Sequence, residues 1–221
     1  IEDNAHGYGG LLSGKPLGSF GDMGFSSPRK NLQTPSGGVL YIRGELREPE
    51  IYNLSDYPVI RSLEYFRNLI KSFPRLKTKI RNFLRSEQDY SDPNFFIEKN
   101  EGYFKVDSHS NNKILTEDWN KHAEQRRKNW IFWSDFSVRN GMFPIWFSPH
   151  PESCPWLMPV YVQNTQDREK WLNWGWRNGV NLTTWPSLPN QVLKNSPNSV
   201  NLWKHILCFP LDREYQIKNL I

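Results

Sequence analysis

Short apolar runs bounded by glycine, serine and proline alternate with longer stretches at helical spacing. Near the amino end, GDMGFSS (residues 21–27) predicts a short buried strand, and GGVLYIRG (residues 37–44) predicts another with glycine bends on both sides. The glycine-rich residues 1–20 read as a strand end followed by loops. Residues 58–86 place Leu63, Phe66, Leu69 and Ile70 on one helical face, with a break or kink at Pro74. Residues 87–115 are polar and turn-rich and read as a surface excursion. Thr116 reads as the N-cap of a helix with Glu117 and Asp118 at its positive end and Gly141 as its stop.

Beyond that helix the pattern predicts a strand in CPWLMPVYVQN (154–164) and a Thr-capped helix from Thr165 to Asn178-Gly179. It continues with a strand in NLTTWPSLP (181–189), a short helix in NSVNLWKHI (198–206), a strand in LCFPLD (207–212) and the start of a last helix in REYQIKNLI (213–221). Strand and helix alternating in this way make a small α/β unit. All ten tryptophans lie at or beyond Trp119, and core or interface packing is their simplest role.

The chain has 221 residues, enough for one large domain or two small ones, and 37% hydrophobic content with 14% aromatic residues can build a core. No apolar run is long enough to predict a membrane span. Cys154 and Cys208 match no zinc or CxxC spacing, which predicts two reduced thiols and a cytoplasmic protein. Asn53-Leu-Ser and Asn181-Leu-Thr match the glycosylation pattern and are set aside with no secretory signal beside them. A net charge of +5 suits a phosphorylated or acidic small substrate as well as nucleic acid. Lys71, Arg75, Lys77, Lys79, Arg81 and Arg85 within the 58–86 helix raise a nucleic-acid or membrane-surface contact. A solvated helix face explains them more simply.

Three features stand together near the amino end. Asp3 follows a stub that reads as the carboxyl end of a strand, where ligands gather in open α/β sheets. His6 comes next, between the small residues Ala5 and Gly7. Lys30 lies in a segment whose approach is fixed by Ser26, Ser27 and Pro28, and a lysine held in a tight loop suits Schiff-base chemistry. A carboxylate nearby would keep a pyridine nitrogen protonated.

Residues 2–42 resemble the cofactor segment of the DegT/DnrJ/StrS family of pyridoxal-phosphate aminotransferases. The likeness rests on Glu2-Asp3, Ala5-His6, Gly18-Ser19-Phe20-Gly21-Asp22, Phe25-Ser26, Lys30 and Gly37-Gly38 in register. More loosely, MPVYVQN, REKWLNWGWRNGVNLTTWP and ILCFPLDREY resemble the small domain of that family. The resemblance implies an α/β protein of the fold type I class. Residues 1–115 would be the trailing part of the large domain with a helical and loop excursion, and residues 116–221 the linker helix and small carboxyl-terminal domain. The chain, opening on Ile-Glu-Asp, would then be the carboxyl-terminal portion of a longer enzyme.

The same resemblance implies the site. Lys30 would carry pyridoxal 5′-phosphate and move a proton between substrate and cofactor. Asp3 would pair with the pyridine nitrogen, His6 would lie against the ring, and Ser26 or Ser27 would hold the phosphate. The implied activity is transamination between an amino donor and a keto group. That group would stand on a nucleotide-linked sugar or another keto substrate, in polysaccharide or cell-surface biosynthesis, within a homodimer and without a metal. A second reading makes the chain a truncated or non-catalytic relative that keeps the fold without turnover. A third ignores the resemblance and makes the basic helix a nucleic-acid contact.

Overall fold

The computed structural model of the chain describes residues 1–32, 34–44, 55–56, 104–185 and 188–215. In chain order the elements are β1 (Glu2–Asn4), β2 (Leu11–Leu12), β3 (Lys15–Pro16), β4 (Met23–Ser26), α1 (Pro28–Leu32), β5 (Val39–Ile42), β6 (Ser55–Asp56) and β7 (Phe104–Lys105). They continue as α2 (Ser108–Thr116), α3 (Trp119–Arg139), β8 (Phe143–Pro144), β9 (Leu157–Tyr161), α4 (Thr165–Arg177), α5 (Asn190–Asn195), α6 (Pro197–Lys204) and β10 (Ile206–Pro210). The architecture is mixed α/β. The predicted 58–86 helix, with its basic residues, lies outside the described residues.

The amino-terminal sheet has the order β1-β4-β5, with β1 parallel to β4 and β5 antiparallel to it. Both strands expected around Met23 and Val39 form. β4 is buried on one face only, because Phe25 and its register partner Leu40 stay exposed on the other. Gly24 is required where it stands. A Cβ there would lie 1.7 Å from the Gly18 carbonyl oxygen, a backbone atom that cannot rotate away. Gly24→Ala is expected to cost about 1–3 kcal/mol by forcing the 18–21 loop off β4. Urea denaturation followed by tryptophan emission and by exchange of the β4 amides checks this, with the β4 amides losing protection first.

The core lies in the carboxyl-terminal half. The antiparallel sheet β10-β9-β8 presents Met158, Val160, Leu207 and Phe209 to Trp130, Trp133 and Phe136 of α3, with Leu172, Val180 and Leu182 in the same cluster. β9 alternates buried Met158 and Val160 with half-buried neighbours, which is the pattern of a half-covered strand. Pro159 is tolerated inside it because its partner Cys208 exchanges both backbone hydrogen bonds with Thr183 instead, while the Pro159 carbonyl accepts from Ile145 on the far side.

Several expected boundaries move. Residues 108–116 are helical rather than loop: Asp107 accepts from the Ser110 amide as N-cap, and only Ser110 and Ile114 are buried. Thr116 ends that helix, and Asp118 caps α3 by accepting from the Lys121 amide. Asn164, one residue before Thr165, caps α4. Residues 181–185 form no strand, only a bridge between Thr183 and Cys208. Arg213–Tyr215 are not helical, and residues 216–221 lie outside the described residues. The stop at Gly141 is where the sequence puts it, with a φ of 72° that suits the glycine.

Among the described residues no helix is long and apolar enough to cross a membrane, and no group of three or more acidic, His or Cys side chains converges as a metal site. Cys154 and Cys208 are free thiols, pushed by burial up to about 11 and about 12.

Candidate functional site

The parallel pairing of β1 with β4 sets Asp3 opposite Phe25 and Asn4 opposite Ser26, so both strands end side by side. The two segments leaving these strands meet at that shared end. The turn after β1 carries His6, and the segment after β4 carries Ser27, Pro28 and Lys30. Lys30 sits on the short helix α1, opened by Pro28, rather than on a loop. Its Nζ lies 2.8 Å from His6 Nε2 and 5.4 Å from the centre of the Trp156 ring. His6 stacks on Trp156 at 4.6 Å and meets the edge of Trp185 at 5.8 Å, while its outer edge stays exposed.

Gly18 comes sixteen positions after Glu2, and Glu2 closes that loop. Its carboxylate accepts from the amides of Gly18 at 2.6 Å and Phe20 at 2.7 Å, and the Gly18 bond leads in holding its pKa down. Inside the sheet, Asn4 donates to Ser26 Oγ at 2.9 Å and to the Leu17 carbonyl at 3.0 Å. Ser26 is thus only 4% exposed and tied to Asn4, while Ser27 is half-buried at the mouth of the site. The Asp3 carboxylate accepts from the Ala5 amide at 2.9 Å and stays exposed.

An open pocket of about 430 Å³ lies on this end of the sheet, lined by Ala5, Phe25, Ser26, Ser27, Arg29 and Lys30 among others. Asp3 and His6 are not among its lining residues, and His6 reaches it through its contact with Lys30. Burial holds the Lys30 amine below the ordinary lysine range, Arg29 adds to this, and Asp3 opposes it. Burial against Trp156 and the Lys30 charge both hold the His6 imidazole down, again opposed by Asp3. A charged Lys30 therefore donates to a neutral His6. The site sets a partly desolvated amine and a guanidinium on one cavity, with an imidazole 2.8 Å from the amine.

His6 and His122 both have folded pKa values below the ordinary one near 6.5. The unfolded chain takes up these protons first, so their contribution to stability is present above about pH 6.5 and is lost as pH falls through the folded values. The urea midpoint is expected to drop between pH 7 and pH 5, before the lowered carboxylates Glu2, Asp107 and Glu152 titrate. His6→Gln and His122→Gln should each flatten that slope.

The structure brings Lys30 and His6 together and sets both Ser26 and Ser27 on the pocket, with Ser26 also tied to Asn4, while Asp3 does not line it. Sequence reasoning missed Trp156 and Trp185. Trp130, Trp133 and Trp203 are buried as packing residues, but those two form a wall behind His6. It also missed Asn4 and buried Arg126, for which no local spacing gives a signal. No family model matches the chain, and no curated protein matches it.

Proposed function

We propose that this chain is the trailing part of the large domain and the small carboxyl-terminal domain of a fold type I enzyme of the DegT/DnrJ/StrS kind, and that it binds pyridoxal 5′-phosphate at Lys30 for transamination. The observation that carries this reading is the Lys30 amine. It is held below its ordinary pKa, 2.8 Å from His6, at the shared carboxyl end of two parallel strands and on an open pocket. The donor set fits the group. A partly desolvated amine has a larger neutral fraction with which to attack an aldehyde carbon. The exposed Asp3 carboxylate is free on its outer side to hold a ring N–H. His6 offers one ring face, since Trp156 covers the other. Ser27 and Arg29 line the pocket and would hold a phosphate, and the tie from Asn4 favours Ser27 over Ser26 for that contact.

Pyridoxal phosphate, when bound, supplies an electron sink for charge developing on a substrate carbon. The chain's part is acid–base and positional. With that group held, the neutral Lys30 amine would be placed to take a proton from the substrate carbon and return it one atom away. His6 accepts from the Lys30 ammonium and so holds its direction. The Trp156 and Trp185 wall keeps water from one side of this pair. The substrates on this reading are an amino donor such as glutamate and a keto compound, with a nucleotide-linked sugar as one candidate.

Incubation with pyridoxal phosphate, borohydride reduction and peptide mapping tests the reading. A phosphopyridoxyl group concentrated on Lys30 supports it. The same total label spread over exposed lysines such as Lys121 and Lys194 overturns it.

A further inference from the structure

Arg126 is the most deeply buried cation among the described residues, 2% exposed, on the inward stripe of α3 seven residues before Trp133. A buried guanidinium is costly unless its donors are satisfied. Here one NH2 group donates to the carbonyls of Pro155 and Trp156, each at 3.0 Å, and the other donates to the Asn31 carbonyl at 2.6 Å. Nε–H donates to His122 Nε2 at 2.7 Å. Asn31 is the neighbour of Lys30 on α1, and Trp156 carries the ring on which His6 stacks. One side chain therefore joins α1, which carries Lys30, to the Pro155–Trp156 segment on which His6 stacks, although the two are more than a hundred residues apart in the chain. Asn31 strengthens the junction by donating to the Tyr8 carbonyl at 2.9 Å, in the turn beyond His6.

We infer that Arg126 is a positioning residue of the Lys30 site, fixing α1 against the Trp156 segment, and that it does so only while His122 accepts its Nε–H. The chemical meaning of this role rests on the proposed function of Lys30, but its geometry does not. His122 can accept at Nε2 only as the neutral ring, with its Nδ1–H donated to Glu117 Oε1 at 3.0 Å. The groups facing His122 are Glu117 from the α2–α3 junction, Lys113 from α2, Arg126 from α3 and the ring of Trp119 at 5.3 Å. Burial, then the Arg126 charge, keep the ring neutral against the pull of Glu117. Loss of the clamp would let α1 lift from Trp156 and readmit water to Lys30, whose amine would then return toward ordinary lysine behaviour.

The experiment reads Lys30 directly, without cofactor. Trinitrobenzenesulfonate labelling across pH, resolved by peptide mapping, gives the midpoint for Lys30 with exposed Lys194 on α5 as the internal reference. Near-UV circular dichroism of the tryptophans reports the fold. Arg126→Met and His122→Leu are expected to move the Lys30 midpoint upward. His122→Gln, which keeps an acceptor, is expected to stay at the wild-type position, and Lys194 is expected not to move. An unchanged Lys30 midpoint in folded Arg126→Met overturns the inference, as does an equal shift, or no shift, in the two His122 variants. If Arg126→Met does not fold, the His122 pair decides, since His122 is only half-buried. Wild-type protein that fails to take up pyridoxal phosphate would defeat the proposed function and leave this comparison readable.

Discussion

Lys30→Ala is expected to abolish covalent uptake of pyridoxal phosphate while leaving the fold intact. The wild-type chain with added pyridoxal phosphate should develop a visible absorption band that borohydride removes, fixing the cofactor to the protein in near one-to-one yield. The alanine variant should show neither the band nor the fixed label. Position accounts for the contrast. Among the described residues, Lys30 Nζ is the one amine lining the pocket, and burial raises its neutral fraction. Exposed lysines among the described residues, such as Lys121 and Lys194, do not line this pocket. The variant removes a half-buried side chain of α1 that touches His6 and Trp156 but no residue of the core cluster, so stability should change by about 1 kcal/mol or less. His6 gives a second readout. With the Lys30 charge gone its titration midpoint should rise, because one of the influences that lowers it is deleted while Asp3 remains. Proton NMR of the imidazole tracks this without cofactor. Equal band and label in wild type and variant would sink the assignment of Lys30. A wild-type band that glutamate and other amino donors fail to bleach would leave cofactor binding and favour the non-catalytic relative.

The elements legible in the sequence are those whose burial obeys one local period or whose ends are marked. α4 does the first, from its polar cap to Asn178, while Val39–Ile42 is marked instead by its flanking glycines and α6 by Pro197 at its start. The helix Ser108–Thr116 was not legible because its sequence, SHSNNKILT, is mostly polar. It is set by an Asp107 cap shared with Ser36 and by one buried Ile114 against Gly37, partners more than seventy residues away. The failed strand at 181–185 has the opposite cause. Its β-branched residues read as a strand, but β10 already pairs with β9 along its length and leaves only the Cys208 position for Thr183.

The site divides in the same way. Lys30, His6 and Asp3 lie within thirty residues of one another, and it is the family resemblance of that segment, not their spacing, that singles them out. Trp156, Trp185 and Arg126 reach the site only through the fold, and nothing in CPWLMP or in an Arg-Arg pair on a helix distinguishes them from packing and solvated residues. Ser26 and Ser27 could not be separated without strand register. Once Ser26 stands opposite Asn4, its side chain is committed to the sheet.

Trp133→Ala is expected to lose more stability than any other substitution named for this chain. The indole is 0% exposed, lies within 4.6–5.4 Å of the rings of Phe209, Tyr215, Phe136 and Phe132, and donates from Nε1 to the Pro210 carbonyl at 2.9 Å. Truncation removes the largest side chain at the junction of α3 and β10 and leaves a cavity that rigid strands cannot close, a cost of about 3–5 kcal/mol. The orphaned Pro210 carbonyl adds to it. For a chain of this size the melting temperature should fall by roughly 6–20 °C. Trp133→Phe separates the two contributions: it keeps most of the packing and loses only the N–H, so a drop of about 1–3 kcal/mol is expected. Because α3 carries Arg126 two turns before Trp133, loosening the core should also reach the site. The alanine variant, at a temperature where it is still folded, should bind pyridoxal phosphate more weakly than the phenylalanine variant, although neither touches the pocket. Chemical denaturation for the first effect and cofactor titration for the second check both. A Trp133→Ala protein with wild-type stability would mean that the aromatic cluster is not the core of this chain.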